Sequence, residues 1–253
     1  MADDLGEEWW KDEADRKESE PSENEQPPGE DRQDDGPPKK KRKRHRKRIT
    51  DELKEKGDNP SSPEDVIAFL TKQFEGKLSA VERDEISLDP EANFCKANTS
   101  PEFGVAYLRQ VLPKWKKLKA GVEGHGSPVL LVICPSALRA VDLNRKLQEF
   151  KGEKCKCVKL FAKHMKLEEQ QKFLKKSTCH MGIGTPSRIL ALIKSGHLGL
   201  DQLCAVVIDW NWRDVKHHRL VDAPELRTEL ANLLKTYIIP HIKSHSKCKI
   251  GIL

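Results

Sequence analysis

Apolar residues are distributed unevenly along this sequence of 253 residues. The segment 1–62 contains few branched apolar residues and many Glu, Asp, Lys, Pro and Ser residues. Such a segment buries too little apolar surface to offset the entropy that is lost on ordering. From Pro63 onward, apolar residues recur at regular intervals. The pattern predicts a disordered charged tail over 1–62, a helical or extended lead-in over 63–96 and a folded domain over 97–253.

The folded domain alternates continuous apolar runs with segments of helical periodicity. Continuous runs are typical of strands covered on both faces, and apolar residues three or four positions apart are typical of amphipathic helices. Strands are predicted at 129–134, 157–162, 179–184, 204–209 and 249–253. Helices are predicted at 136–150, 167–176, 186–195 and 223–237. The alternation predicts an α/β domain with a parallel β-sheet flanked by helices, which binds its ligands at the carboxyl ends of the strands.

Two earlier helices are predicted from their start signals. Ser62 and Pro63 supply an N-cap and a first helical residue, and the same start signal occurs at Thr99–Pro101. The second helix is expected to bend or end at Pro113. Residues 76–94 are weakly patterned and stay unassigned.

Charge divides the chain into three blocks. Residues 1–36 carry 15 acidic and 4 basic side chains, a net charge of −11. Residues 49–253 carry 33 basic and 25 acidic side chains, so the folded part is basic. Between these blocks lies a run of nine basic residues, namely Lys39, Lys40, Lys41, Arg42, Lys43, Arg44, Arg46, Lys47 and Arg48. This balance favours a polyanionic partner.

The basic run is typical of a segment that binds a nuclear import receptor, an RNA backbone or both. Its RNA affinity is expected to fall steeply with salt and to ignore base sequence, because counterion release drives such binding. The acidic block is a candidate competitor of RNA, and a phosphate on Ser22, which precedes Glu23 and Glu25, would strengthen that competition. A merely solvated charge run is the alternative.

Two adjacent tryptophans, Trp9 and Trp10, lie in the acidic block. Exposed tryptophans are unusual in a solvated tail. The segment is therefore a candidate peptide that docks into a partner's groove and orders there. A short N-terminal helix without a partner is the alternative.

Several classes of protein are not expected. No stretch approaches the roughly 18 apolar residues that span a bilayer, and the first residues lack the features of a secretory signal. The seven cysteines show no framework spacing and are expected to be reduced. A zinc site built from Cys155, Cys157, Cys179 and His180 is disfavoured, because no Cys-x-x-Cys pair is present. We expect no metal, no cofactor, no membrane contact and no small-molecule substrate.

Three predicted turns carry the informative motifs. They are Ile133-Cys134-Pro135-Ser136-Ala137-Leu138-Arg139-Ala140, Gly182-Ile183-Gly184-Thr185-Pro186-Ser187-Arg188 and Val206-Val207-Ile208-Asp209-Trp210. In order and spacing they resemble the first RecA-like domain of DEAD-box RNA helicases. There a Pro-Thr-Arg-Glu-Leu turn, a Gly-Thr-Pro-Gly-Arg turn and a strand ending in Asp-Glu-Ala-Asp follow one another. The resemblance covers residues 97–253.

This resemblance implies turns that grip an RNA sugar-phosphate backbone without reading bases. Thr185 and Pro186 are placed to begin a helix whose N–H groups and dipole favour an anion. Trp212 and Arg213 supply an aromatic ring and a guanidinium for stacking on a base or binding a partner. The candidate RNA-binding residues are Ser136, Arg139, Thr185, Ser187, Arg188, Trp212 and Arg213. Helix capping alone is the alternative for the two Pro-containing turns.

The ATPase parts of that family are missing from this sequence. A P-loop needs Gly-x-x-x-x-Gly-Lys-Ser/Thr, and residues 93–100 contain neither its glycines nor its Lys-Ser/Thr pair. Asp209 remains, but Trp210 replaces the Glu that positions the attacking water in the family, and it is expected to fill the vacated pocket as core. The sequence ends at Leu253, before any second RecA-like domain. We therefore expect a degenerate RecA-like domain without catalytic residues or enzyme activity.

Five segments extend the resemblance to a narrower family. They are Leu5-Gly6-Glu7-Glu8-Trp9-Trp10, the basic run before Ile49-Thr50-Asp51, Lys159-Leu160-Phe161-Ala162-Lys163-His164, Gly184-Thr185-Pro186-Ser187-Arg188 and Asp209-Trp210-Asn211-Trp212-Arg213-Asp214. Together they resemble the Cms-one ribosomal small-subunit homolog family of helicase-like proteins. That resemblance implies a nuclear and nucleolar location, association with RNA and pre-ribosomal proteins, and a role in ribosome biogenesis.

The leading hypothesis is a non-catalytic RNA- and protein-binding factor of pre-ribosomal particles. Two alternatives come from other classes of protein. One is a half-helicase whose ATP site a partner chain completes. The other is a charged adaptor that contacts chromatin or histones mainly through its tail.

Overall fold

The structure is a computed structural model that describes residues 60–98 and 104–253. The chain divides into two units, Met1–Arg46 and Lys47–Leu253, and every described residue belongs to the second. The predicted tail, with its two tryptophans and its basic run, lies outside the described residues except for residues 60–62.

Five short strands form one parallel sheet in the described part of the chain. They are β1 (Leu130–Ile133), β2 (Cys157–Leu160), β3 (Met181–Gly184), β4 (Ala205–Ile208) and β5 (Lys249–Ile252). All neighbouring pairs are parallel, in the order β2-β3-β1-β4-β5. Strands β1, β3 and β4 are buried along their whole length, which explains their continuous apolar sequences. The predicted α/β class and parallel sheet are confirmed.

Ten α-helices accompany the sheet among the described residues. They are α1 (Pro63–Phe74), α2 (Ala80–Glu85), α3 (Val105–Val111), α4 (Trp115–Ala120), α5 (Ala137–Lys146), α6 (Gln148–Lys151), α7 (Leu167–Lys176), α8 (Pro186–Lys194), α9 (Pro224–Leu233) and α10 (Ile239–Ser244). The lead-in thus contains two helices, after which Phe94 forms an isolated parallel bridge with Ile250. None of the described helices is long and apolar enough to cross a membrane.

Helix α3 ends before a proline, as the sequence predicts. Leu112 leaves the helical region (φ −128°, ψ 71°) because the ring of Pro113 disfavours a helical conformation in the preceding residue. The predicted start signal at Thr99–Pro101 lies outside the described residues, and the described helix begins at Val105 after Gly104.

Two predicted helices are divided in the structure. The helix predicted at 136–150 breaks at Leu147 (φ −85°, ψ 7°), which separates α5 from α6. The helix predicted at 223–237 ends as α9, and a π-helical segment, Leu234–Ile238, connects it to α10. Pro240 accounts for this change, because it lacks an N–H group and its ring displaces the preceding turn.

The sheet separates two apolar layers. On one face, α1 and α7 to α10 pack against side chains such as Leu131 and Ile133. On the other face, α3 to α6 pack against Leu130 and Val132. Neighbouring strand residues belong to opposite layers because side chains alternate in direction along a strand. Helices therefore cover both faces of the sheet, and the polar turns lie at the ends of the strands.

Candidate nucleic-acid interface

The carboxyl ends of three strands lie side by side. Ile133 at the end of β1 pairs with Gly184 of β3 and with Ile208 of β4. The three motif turns begin just beyond these residues, so the structure brings them together, as the parallel sheet predicts. We call the surface that these turns form the carboxyl edge, and it consists of residues 134–139, 185–188 and 209–213.

Gly184 allows β3 to approach β2 closely at this edge. A Cβ atom at position 184 would overlap the carbonyl oxygen of Leu160. The N–H of Thr185 donates a hydrogen bond to the same oxygen at 3.0 Å. Glycine is therefore required where the Thr-Pro turn lies against the end of β2.

Helix α8 begins at Thr185 and Pro186, as predicted. Thr185 is extended (φ −90°, ψ 149°), and Pro186 is the first helical residue. The Thr185 hydroxyl makes no capping hydrogen bond, and its Oγ1 lies 3.4 Å from Oγ of Ser187. Thr185 therefore starts the helix through its backbone conformation and without a side-chain cap.

Arg188, in the same turn, is held by a buried glutamine. Its Nη1 donates a hydrogen bond to Oε1 of Gln170 at 2.9 Å. Burial lowers the pKa of Arg188, and the charge of Glu168 opposes that shift. No carboxylate of a described residue forms a salt bridge with Arg188. Because arginine stays protonated in proteins, the carboxyl edge carries a positive charge that no described ion pair compensates.

Arg139 is committed to an internal ion pair. Its Nε donates to Oδ2 of Asp209 at 2.7 Å and its Nη2 to Oδ1 at 3.0 Å, while its Nη1 donates to Asp142 at 2.9 Å. The side chains of Arg139 and Asp209 are only 7% and 1% exposed. The sequence predicted an RNA contact for Arg139. Its guanidinium is instead bonded to both oxygens of a buried carboxylate.

The two partners of this ion pair respond differently to burial. Burial raises the pKa of the Asp209 carboxyl, and the hydrogen bonds and charge of Arg139 oppose the increase. Burial lowers the pKa of Arg139, but the bonds and charge of Asp209 outweigh it and the net change is upward. The bidentate geometry favours charge on both side chains, so we regard the pair as ionic. Ser136 starts the helix that carries Arg139, since its Oγ accepts the Arg139 N–H at 3.2 Å.

The residues after β4 have internal partners. Trp210 is 3% exposed and packs edge-on against Phe69 of α1, with ring centroids 5.4 Å apart, so it fills the core as expected. The ring of Trp212 lies 5.1 Å from the guanidinium carbon of Arg139. Arg213 donates from Nη1 to the carbonyl oxygen of His217 at 3.1 Å. Trp212 and Arg213 are each half-buried, so both keep some exposed surface.

The residues of the alternative zinc site have other roles. Burial raises the pKa of Cys155 to about 11 and that of Cys157 to about 12, and it also raises the pKa of Cys179. The Nδ1 atom of His180 accepts the N–H of Lys156 at 2.9 Å. Within residues 60–98 and 104–253, no group of three or more His, Cys, Asp or Glu side chains is arranged to hold a metal ion.

A protein-family model matches almost the whole sequence. The model is that of the CMS1 family, described as "U3-containing 90S pre-ribosomal complex subunit", and it matches residues 13–252. The chain belongs to the CMS1 family. This finding confirms the resemblance to the Cms-one ribosomal small-subunit homolog family that the motifs indicated.

Relatives named for the CMS1 family are similar over most of the chain. Protein CMSS1 of Homo sapiens is 40% identical over 210 residues, which are 83% of this chain and 74% of that protein. Protein CMSS1 of Xenopus laevis is 37% identical over the full length of both chains. Protein CMS1 of Chaetomium thermophilum is 34% identical over 175 residues, which are 67% of this chain and 69% of that protein.

Solved helicase structures are more distant from this CMS1-family chain. A DEAD box protein from Methanococcus jannaschii is 16% identical, with a TM-score of 0.42 over 76% of this chain and 47% of that protein. The RNA helicase Prp28 from Chaetomium thermophilum bound to ADP is 14% identical, with a TM-score of 0.44 over 77% of this chain and 45% of that protein. The chain thus spans about half the length of these two proteins.

Gln170, which contacts the candidate residue Arg188, was not identified from the sequence. Leu167, Gln170 and Leu174 follow the helical spacing of the apolar face of α7, so a polar residue stands at an apolar position. A polar side chain at such a position needs a hydrogen-bonding partner, and that need was the available signal.

Proposed function

We propose that the chain is a non-catalytic RNA- and protein-binding factor of small-subunit ribosome biogenesis. It acts in a pre-ribosomal particle in the nucleolus, and precursor ribosomal RNA and pre-ribosomal proteins are its partners. Membership in a family described as a 90S pre-ribosomal complex subunit supports this proposal. An import receptor that binds the basic run at 39–48 brings the protein into the nucleus.

The single observation that carries the RNA contact is the environment of Arg188. Arg188 lies in the first turn of α8, in the same turn as Thr185 and Ser187, and no carboxylate of a described residue forms a salt bridge with its guanidinium. A cation, two hydroxyls and a helix N-terminus in one turn suit a phosphate and carry no information about base sequence. The half-buried side chains of Trp212 and Arg213 add a partly accessible aromatic ring and a cation at the same edge.

Substitution of Arg188 tests this contact. The background is the full-length protein with the nine Lys and Arg residues of 39–48 replaced by Gln, so that the folded part dominates binding. R188A is expected to weaken binding of a short single-stranded oligouridylate by about 1.5–3 kcal/mol, the contribution of one charge-assisted contact. K194A removes a charge from the other end of α8 and is the matched control. Equal affinities of the two variants would show that the turn only starts a helix.

Loss of the Arg188 side chain also affects folding. It leaves Oε1 of buried Gln170 without its donor, so R188A is expected to destabilise the protein by about 1–3 kcal/mol. A first-turn arginine with no partner would contribute little to stability, so the expected loss is that of the Gln170 contact. Binding is therefore compared at a temperature at which both variants are folded.

The non-catalytic part of the proposal is supported by the surroundings of Asp209. Arg139 donates hydrogen bonds to both oxygens of this carboxylate, and the neighbouring residue Trp210 is buried against Phe69. A magnesium ion would have to displace that arginine to reach Asp209. Titration of ATP with magnesium into the full-length protein is expected to give no heat and no shift in melting temperature. A micromolar Kd would instead favour the half-helicase alternative.

Peptide-resolved crosslinking to RNA in cells tests where the chain touches RNA. Crosslinks within 130–220 are expected from the proposed function. Crosslinks confined to 39–48 would instead favour a charged adaptor that works through its tail.

A further inference from the structure

Gln170 is a buried polar side chain, 2% exposed, between two structural elements. Its Nε2 donates to the carbonyl oxygens of Lys159 at 2.8 Å and Phe161 at 3.2 Å. Its Oε1 accepts from Nη1 of Arg188 at 2.9 Å. Both polar atoms of the amide have partners, and the two carbonyl acceptors fix which side of the amide carries the NH2 group. The side chain thus connects the end of β2 to the first turn of α8.

Because Gln170 is uncharged, it does not compensate the positive charge of Arg188. Arg139, at the same carboxyl edge, bonds the carboxylates of Asp209 and Asp142, so its charge is compensated inside the protein. Arg188 is held by an uncharged amide, and the carboxylate of Glu168 acts on it only from beyond salt-bridge distance. An amide restrains a guanidinium and leaves its charge available to an external anion.

We propose that Gln170 is a positioning residue that holds the guanidinium of Arg188 toward an RNA phosphate without neutralising it. This inference rests on the proposed function, because it takes the phosphate contact of Arg188 as given. A long arginine side chain loses rotamer entropy when a ligand orders it. Gln170 restrains Arg188 before RNA binds, so less entropy is lost on binding.

Two substitutions of Gln170 test the inference in the full-length protein with the neutralised basic run. Q170M keeps the length of the side chain and removes all three hydrogen bonds. We expect the Kd for oligouridylate to rise about three- to tenfold, which corresponds to the coupling of neighbouring groups. Q170E keeps an acceptor for Arg188 and adds a negative charge. We expect its Kd to rise about tenfold or more and the slope of log Kd against log salt to decrease by about 0.7, the loss of one phosphate contact.

A double-mutant cycle separates positioning from a general effect on the fold. In the R188A background, Q170M is expected to change the Kd no further, because no guanidinium remains to be held. A Gln170 that only supports the fold would weaken binding equally in both backgrounds.

Gln202 provides a matched control before β4, at the amino end of the sheet. Its Nε2 donates to the carbonyl oxygen of Glu123 at 2.5 Å, and its Oε1 accepts the Glu123 N–H at 3.0 Å. Q202M also removes a set of amide hydrogen bonds, and we expect it to leave the Kd unchanged. An equal rise in Kd for Q202M and Q170M would assign both effects to stability and overturn the inference.

The outcomes distinguish this inference from the proposed function. If R188A weakens RNA binding while Q170M and Q170E do not, the positioning role is overturned and the RNA contact stands. If R188A has no effect, the RNA contact at this turn is itself overturned. If Q170M unfolds below the assay temperature, Q170E decides, because it retains an acceptor for Arg188.

Discussion

The Arg139–Asp209 pair buries two opposite charges just beyond the carboxyl end of β4. A carboxylate that is 1% exposed is costly to bury unless a cation and hydrogen bonds compensate it. Arg139 supplies both, through two bonds to Asp209 and a third to Asp142. The indole of Trp212 covers the guanidinium and adds a cation–π contact. The cation that compensates the buried Asp209 carboxylate is therefore a side chain of the protein itself, Arg139.

Removal of one partner of the pair is expected to be strongly destabilising. R139A leaves Asp209 buried and unpaired, and we expect a loss of about 3–5 kcal/mol in the free energy of unfolding. The double variant R139M/D209L removes both charges and should recover much of that loss. Urea denaturation of the two variants beside K194A measures the effect. A loss below about 1 kcal/mol for R139A would show that water or another cation compensates Asp209.

A histidine gives the stability a pH dependence whose sign the structure determines. Burial lowers the pKa of His180 below 6.5, and Lys119 and Lys156 act in the same direction. Its Nδ1 also accepts the N–H of Lys156, which a proton on that atom would prevent. Below about pH 6.5 the unfolded chain binds the proton more readily than the folded one, so stability decreases as pH falls.

Melting curves between about pH 7 and pH 5 test this prediction. The melting temperature is expected to fall with pH, and to fall less in H180N, whose amide oxygen can accept the same N–H. His241, whose pKa burial also lowers, should keep part of the dependence in that variant. Identical pH profiles for the wild type and H180N would contradict the assignment to His180.

The secondary-structure elements were predictable to different degrees. Each observed strand lies within its predicted segment. In β1, β3 and β4 the reason is burial on both faces, which leaves an unbroken apolar run. Helix interruptions were not predicted, since the break at Leu147 and the π-helical segment before Pro240 leave the apolar periodicity unchanged. Start signals fixed where α8 begins, but they did not say whether the side chain of Thr185 makes the cap.

The helices α5 and α8 begin with different kinds of N-cap. Ser136 accepts the N–H of Arg139, whereas Thr185 caps with its backbone alone. We expect S136A to cost about 1 kcal/mol in stability and T185A to cost clearly less. Urea denaturation of both single variants provides the comparison, with the wild type measured in parallel. Equal losses would mean that the Thr185 hydroxyl caps α8 in solution.

At the scale of the whole molecule, the sequence predicted which turns meet but not which side chains pair. A parallel sheet brings its strand ends to one edge, so the adjacency of the three motif turns followed from topology. The bond between Arg139 and Asp209 joins residues 70 positions apart, and no local pattern indicates it. For the same reason the sequence did not distinguish Arg139 from Arg188. The carboxylate of Asp209 compensates the charge of Arg139, whereas Arg188 is bonded to the uncharged amide of Gln170.

The distribution of charge along the whole chain leads to a prediction about the basic run at 39–48. Its nine Lys and Arg side chains form the densest block of positive charge in the sequence. Replacement of all nine by Gln should lower the affinity for RNA of any sequence and reduce the salt dependence of binding, because fewer counterions are released. The melting temperature of the folded part should not change, and the nuclear fraction of the protein in cells should fall.

A scrambled basic run is the matched control for this prediction. It keeps the composition and net charge of 39–48, so counterion release and the affinity for RNA should be those of the wild type. A loss of nuclear entry in the scrambled variant would separate recognition by the import receptor from RNA binding, because only the receptor reads the order of residues. If the Gln variant keeps both RNA affinity and nuclear location, the run is a solvated spacer. RNA binding would then depend on the carboxyl edge of the sheet, where Arg188 is the residue to test.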